Sequence, residues 1–217
     1  MTDRISPRQF LASAGVEDWR VIWGGGWACA HFRTGSFGVG VALVRAIGKL
    51  AAAANHEPDV DLRPEAVVVR LFSGEHEGLS DRDVQLARQI SAAARELGAP
   101  ADPSAVQHVQ VAIDALVTPE VRPFWRAVLG YQEVGEEDLL DPVRRGPSFW
   151  FQAMDAPRPQ RNRIHIDVYV PHDQAQERIA AALAAGGRIV DDAHAPGWWT
   201  LADAEGNEVD LAIWMAD

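Results

Sequence analysis

The chain has 217 residues, 47% of them hydrophobic and 24% charged, with a net charge of -11 and one cysteine. That is the make-up of one large or two small globular domains, and its acidity argues against nucleic acid and anionic lipid as partners. Residues 1–100 carry 11 basic and 12 acidic side chains and the rest carry 9 and 19, so the excess lies in the second half, where it serves solubility.

The opening stretch MTDRISPRQF lacks the basic and apolar regions of a secretion signal, and no apolar run looks long enough to span a bilayer. A cytoplasmic protein is expected. A short helix is predicted near residues 7–15, followed by apolar runs at 19–23 and 27–32 joined by three glycines, a hairpin signal. Cys29, in the apolar GWACAHF, reads as a packed residue rather than a nucleophile. Ser36 can cap a helix on which Phe37, Val41, Val44, Ile47 and Ala51 recur at helical spacing, and which must stop before Pro58.

Residues 60–73 suggest two strands turning near Pro64. Ser80, with Asp83 three residues later, opens a second helix whose Val84, Ala87, Ile90, Ala94 and Leu97 share a face. The fold class expected is therefore α+β, a four-stranded antiparallel sheet with helices on one face. Gly98, Pro100 and Pro103 then stop helix and strand alike, which separates domains at residues 1–100 and 104–217.

The second half repeats itself. Strand-like residues 106–113 precede a helical stretch at 119–131, and residues 163–170 precede another at 173–187. His108 stands 22 residues before Gly130, and His165 stands 21 before Gly186. By strand parity His165, Asp167 and Tyr169 share a face, as do His108 with Gln110, Trp150 with Gln152, and Glu208 with Asp210 and Trp214.

His56 and Glu57 lie where the first long helix ends, against Pro58. A histidine beside a carboxylate can deliver a proton to a leaving hydroxyl and recover one elsewhere, which suits a dehydration. The alternative is a histidine that merely interacts with the helix dipole beside a solvated glutamate.

The order of WACAHF, the helix SFGVGVALVRAIGKLA, NHEPDVDL and VVVRLFSGEHEGLSDRDVQLA resembles the pterin-4a-carbinolamine dehydratase family across nearly the first hundred residues. The resemblance implies that His56 is a general acid and base on the 4a-hydroxyl of a tetrahydropterin, with no metal or redox cofactor. It implies a homodimer or higher homo-oligomer, and places Pro58, Asp59 and Asp83 against the substrate. Glu57 replaces the family's second histidine or asparagine, Pro64 replaces an aromatic residue, and Gly74 falls where a later histidine belongs. His76, two residues on, can reach the same side of an extended strand and stands in as a second proton carrier. Glu57 completes the expected catalytic set.

Residues 104–215 resemble the glyoxalase-like, vicinal oxygen chelate superfamily through FWRAVLGY, NRIHIDV and DAEGNEVDLAIW. That implies paired βαβββ modules forming an open curved sheet, with ligand positions on His108, Gln152, His165 and Asp210, a set that could bind Zn, Ni, Mn or Fe(II). Glu208 competes with Asp210 for its place, and the superfamily also holds metal-free binding domains. Trp198 and Trp199 would either wall a pocket for a flat ligand or pack in the core. The function expected is dehydration of 4a-hydroxytetrahydropterin to quinonoid dihydropterin. The alternatives are metal-dependent glyoxalase or dioxygenase chemistry in the second domain, or a small-molecule binding protein that has lost catalysis.

Overall fold

The computed structural model, which describes residues 4–22, 27–73, 78–157 and 166–213, separates the chain between His108 and Val109 into two units. The first contains β1 (Arg4–Ile5), α1 (Pro7–Leu11), β2 (Arg20–Val21), β3 (Ala28–Arg33), α2 (Phe37–Ala54), β4 (Asp59–Leu62), β5 (Ala66–Leu71), β6 (Leu79–Ser80) and α3 (Asp81–Glu96). Four strands pair antiparallel in the order β2-β3-β5-β4. Alternation decides which face they bury: Ala30, Phe32, Val67, Val69 and Leu71 meet Leu43 and Ile47 of α2 and Val84, Ala87 and Ile90 of α3 in one core. Cys29 is buried on the opposite face of β3, across from Arg70, and burial pushes its thiol up. The pair β1–β6, two residues on each strand, is too short to leave a periodic trace in the sequence.

Ser36 caps α2 as expected, its side chain accepting from the Val39 N–H at 3.3 Å. The buried face is nevertheless Gly40, Leu43, Ile47 and Ala51, whereas Phe37 and Val41 are exposed. Gly40 explains the rotation, since a Cβ there would meet Leu62 Cδ1 at 2.5 Å, so the helix approaches the sheet along its small residues. By length and composition α2 could also cross a membrane, with a mean hydropathy of 1.6 over 18 residues, contrary to the reading that no run is long enough. Here one side of it packs on the sheet.

The units part at His108/Val109, just past the proline-rich stretch. Arg33 N–H donates to the Pro100 carbonyl at 2.9 Å and Asp102 N–H to the His31 carbonyl at 2.7 Å, so residues 100–102 run along β3 and stay with the first unit.

The second unit holds two modules of identical element order. The first is β7 (Gln110–Ala115), α4 (Thr118–Leu129), β8 (Gln132–Val134), β9 (Asp138–Leu140) and β10 (Ser148–Ala153); the second is β11 (Ile166–Tyr169), α5 (Ala175–Ala184), β12 (Arg188–Asp191), β13 (Trp198–Ala202) and β14 (Glu208–Ala212). Their sheets run β7-β10-β9-β8 and β11-β14-β13-β12. In each, the first and last strands are parallel, which requires a crossover, while the rest are antiparallel. The predicted strand at 106–113 is displaced, because β7 begins at Gln110.

One apolar core spans both modules, from Trp125 and Phe149 to Leu201 and Leu211. Two polar clamps reinforce it. Asp203, fully buried, accepts the Trp125 Nε1–H at 2.9 Å, and Glu205 accepts the Leu116 and Val117 N–H groups at 2.8 and 2.7 Å at the start of α4.

Burial, and after it the Glu137 charge, pushes the Asp138 carboxyl up, although the Gln110 amide donates to it at 3.0 Å and opposes the rise. A raised carboxyl binds its proton more tightly in the folded state. Its contribution therefore favours folding at low pH and is lost as pH rises from the unfolded value through the folded one. Asp138→Asn is expected to raise the melting temperature at about pH 7 and to leave it nearly unchanged at about pH 3, by thermal denaturation.

Candidate active site

The chain leaves α2 through a left-handed residue, Asn55, at φ 47° and ψ 46°. Asparagine visits that region more readily than most side chains. The His56 N–H then donates to the Ala51 carbonyl at 3.1 Å, the long bond of a Schellman ending. Pro58 rules out another turn and sends the chain extended into β4. His56 thus stands beyond the helix, and a specific partner takes the place of the helix dipole.

That partner is Asp83. His56 Nε2 lies 2.7 Å from Asp83 Oδ1, with the histidine 8% exposed and the aspartate fully buried. Asp83 is the third residue of α3, where its Oδ2 accepts the Ser80 N–H at 2.7 Å, the return half of the capping box. The hydroxyls of Ser73 and Ser80 donate to the same oxygen at 2.7 and 2.9 Å. They also stand 2.9 Å from each other, so a hydroxyl proton has a choice of acceptor. The family resemblance places Asp83 against the substrate. With no exposed surface it cannot touch one, and it holds His56 instead.

A cleft of ≈ 470 Å³ opens beside this pair, lined by Asn55, His56, Glu57, Ser73 and Arg82 among others. Glu57 is exposed and brings a carboxylate to the same space. Ser73 and Arg82 escaped the sequence reading, because nothing local marks a residue whose partner lies far along the chain. Arg82 Nη2 donates to the Asn55 carbonyl and, at 3.4 Å, to that of Ala54, tying the start of α3 to the end of α2. Arg82→Ala is expected to cost about 1 kcal/mol and to speed amide exchange in the last turn of α2, read by hydrogen–deuterium exchange.

Pro58 shapes the backbone and does not line the cleft. Asp59 likewise is not among the residues that line this cleft. Val60 and Leu62 take the core side of β4, which leaves Asp59 on the other face with its carboxylate 4.0 Å from Arg70 Nη1. His76 lies outside the described residues.

In the second unit, Gln152 faces solvent on β10 opposite Asp114 on β7. Asp210 on β14 pairs in register with Asp167 on β11, and its Oδ1 accepts the Thr200 hydroxyl at 2.6 Å. His108 is not on β7. It belongs to the first unit, its ring edge-on to Trp27 at 5.4 Å, where burial and then the Arg70 charge lower its affinity for a proton. His165 lies outside the described residues, among which no group of three or more His, Cys, Asp or Glu side chains could hold a metal ion. Trp199 is core, while Trp198 is exposed and stacked on His194 at 4.1 Å.

Residues 4–93 match the family described as pterin 4 alpha carbinolamine dehydratase, and residues 110–212 match the glyoxalase-like domain. A protein of Nocardia farcinica, provisionally named pterin-4-alpha-carbinolamine dehydratase, is 42% identical over 60 residues, which span 28% of this chain and 63% of that protein. A protein of the same provisional name from Aquifex aeolicus is 33% identical over 67 residues, 31% of this chain and 68% of the relative. The chain thus spans a little under two thirds of the first relative and a little over two thirds of the second. The solved transcriptional coactivator/pterin dehydratase from Brucella melitensis matches with a TM-score of 0.40 and 19% identity over 42% of this chain and 99% of that one. Through its first unit the chain belongs to the pterin-4-alpha-carbinolamine dehydratase family, and its second unit matches the glyoxalase-like domain.

Proposed function

We propose that the first unit dehydrates a 4a-hydroxytetrahydropterin to the quinonoid dihydropterin, with His56 carrying the proton. The observation that supports this reading most directly is the buried His56–Asp83 pair at 2.7 Å on the wall of the cleft. Loss of water from a carbinolamine needs a proton on the departing hydroxyl and the removal of one from the adjacent ring nitrogen. It is redox-neutral, and one imidazole that gives a proton and takes one back balances it. Glu57, exposed beside His56, offers a second acceptor at the mouth.

The test is the loss of freshly generated 4a-hydroxytetrahydropterin with and without the purified full chain, since the carbinolamine also dehydrates unaided. Acceleration over buffer is expected. A rate equal to buffer, together with saturable binding of a tetrahydropterin, would leave a binding protein in place of an enzyme.

A further inference from the structure

We infer that Asp83 is a positioning residue that sets the tautomer of His56, so that protons enter and leave the cleft through Nδ1. A neutral imidazole has one N–H and one bare nitrogen, and a carboxylate oxygen only accepts. Asp83 Oδ1 lies 2.7 Å from Nε2, so the ring proton belongs on Nε2. The reverse tautomer would set a lone pair against a buried anion.

The carboxylate cannot turn aside to relieve such a clash. Its other oxygen is held by the Ser80 N–H, fixed by the first turn of α3, and by the hydroxyls of Ser73 and Ser80. A group tied at both oxygens and wholly buried orients its neighbour as a second-layer carboxylate does in a nucleophile–base pair. With Nε2 committed, Nδ1 is the nitrogen of His56 left to meet a ligand in the cleft that the residue lines. In the dehydration, protonated Nδ1 gives its proton to the departing hydroxyl, the C4a–O bond breaks, and Nδ1 takes up the proton released from the ring nitrogen. Nε2 keeps its own proton throughout, donating it in the hydrogen bond to Asp83. This consequence for rate rests on the dehydratase reading; the tautomer does not.

Imidazole ¹⁵N shifts of the labelled full chain, with His56→Gln used to assign the ring, decide the matter. In the neutral ring we expect a protonated Nε2 and a bare Nδ1, and in Asp83→Asn a shift toward the opposite tautomer. Dehydration by Asp83→Asn should fall on the order of 10²-fold in kcat with KM little changed. A wild-type ring protonated on Nδ1, or a tautomer that Asp83→Asn leaves unaltered, overturns the assignment. Should Asp83→Asn fail to fold through loss of its cap, the wild-type spectrum suffices alone. A wild type with the Nε2–H ring but no dehydratase activity supports the assignment and overturns only the dehydratase reading.

Discussion

His56→Ala is expected to return the dehydration rate to that of buffer, a loss on the order of 10²–10⁴-fold if acid–base catalysis supplies the acceleration. The ring is the titratable group that the fold aims most deliberately. Asn55 turns the chain left-handed, Pro58 bars another helical turn, and Asp83 pins Nε2 at 2.7 Å. Removing the imidazole also strips a buried carboxylate of its partner on Oδ1, so part of any loss could come from a softened fold. His56→Gln, which keeps an amide donor within reach of Asp83, separates the two effects. It should restore the melting temperature lost by His56→Ala without restoring the rate. If both variants dehydrate the carbinolamine as fast as wild type, His56 is not the proton carrier.

The second large effect concerns stability. Asp203→Ala is expected to destabilise the second unit by about 3 kcal/mol and to lower its transition by more than about 10 °C in calorimetry. Asp203 is fully buried and satisfies four donors: Glu205 N–H at 3.0 Å, Asn207 N–H at 2.8 Å, the Asn207 side-chain amide at 2.8 Å and the Trp125 indole at 2.9 Å. Trp125 is itself buried, so alanine would orphan its N–H away from water while loosening the turn that presents Glu205 to α4. Orphaning donors costs more than the bonds were worth, since each loses water as well as its partner. Asp203→Asn keeps one acceptor oxygen and should lose about half as much. A single-transition melt that Asp203→Ala leaves unchanged would show that the two modules do not depend on this clamp.

The parts of the site legible in the sequence are those whose signal is local. Ser80 with Asp83 announced a helix start, and Pro58 announced the end of the previous helix, so both sides of the cleft were visible as punctuation. The same locality explains what was not legible. The capping role of Asp83 was legible, while its contact with His56, 27 residues away, was not. His108 has the right spacing for the module repeat, yet the strand starts two residues later and the ring turns to Trp27 instead.

By itself the sequence determined the α+β class, the module repeat and the caps, since these rest on periodicity and on residues that restrict their own backbone: Ser36, Ser80, Gly98 and Pro58. Tertiary structure alone decided which helix face is buried, where the unit boundary falls, and which polar groups meet. Phe37 lost its place in the core to Gly40 because the helix closes on Leu62. Residues 100–102 joined the first unit because they hydrogen-bond along β3. His56 acquired its partner because α3 starts beside the end of α2. Pairings of this kind depend on distances closed only when separate elements pack, and no window along the chain contains them.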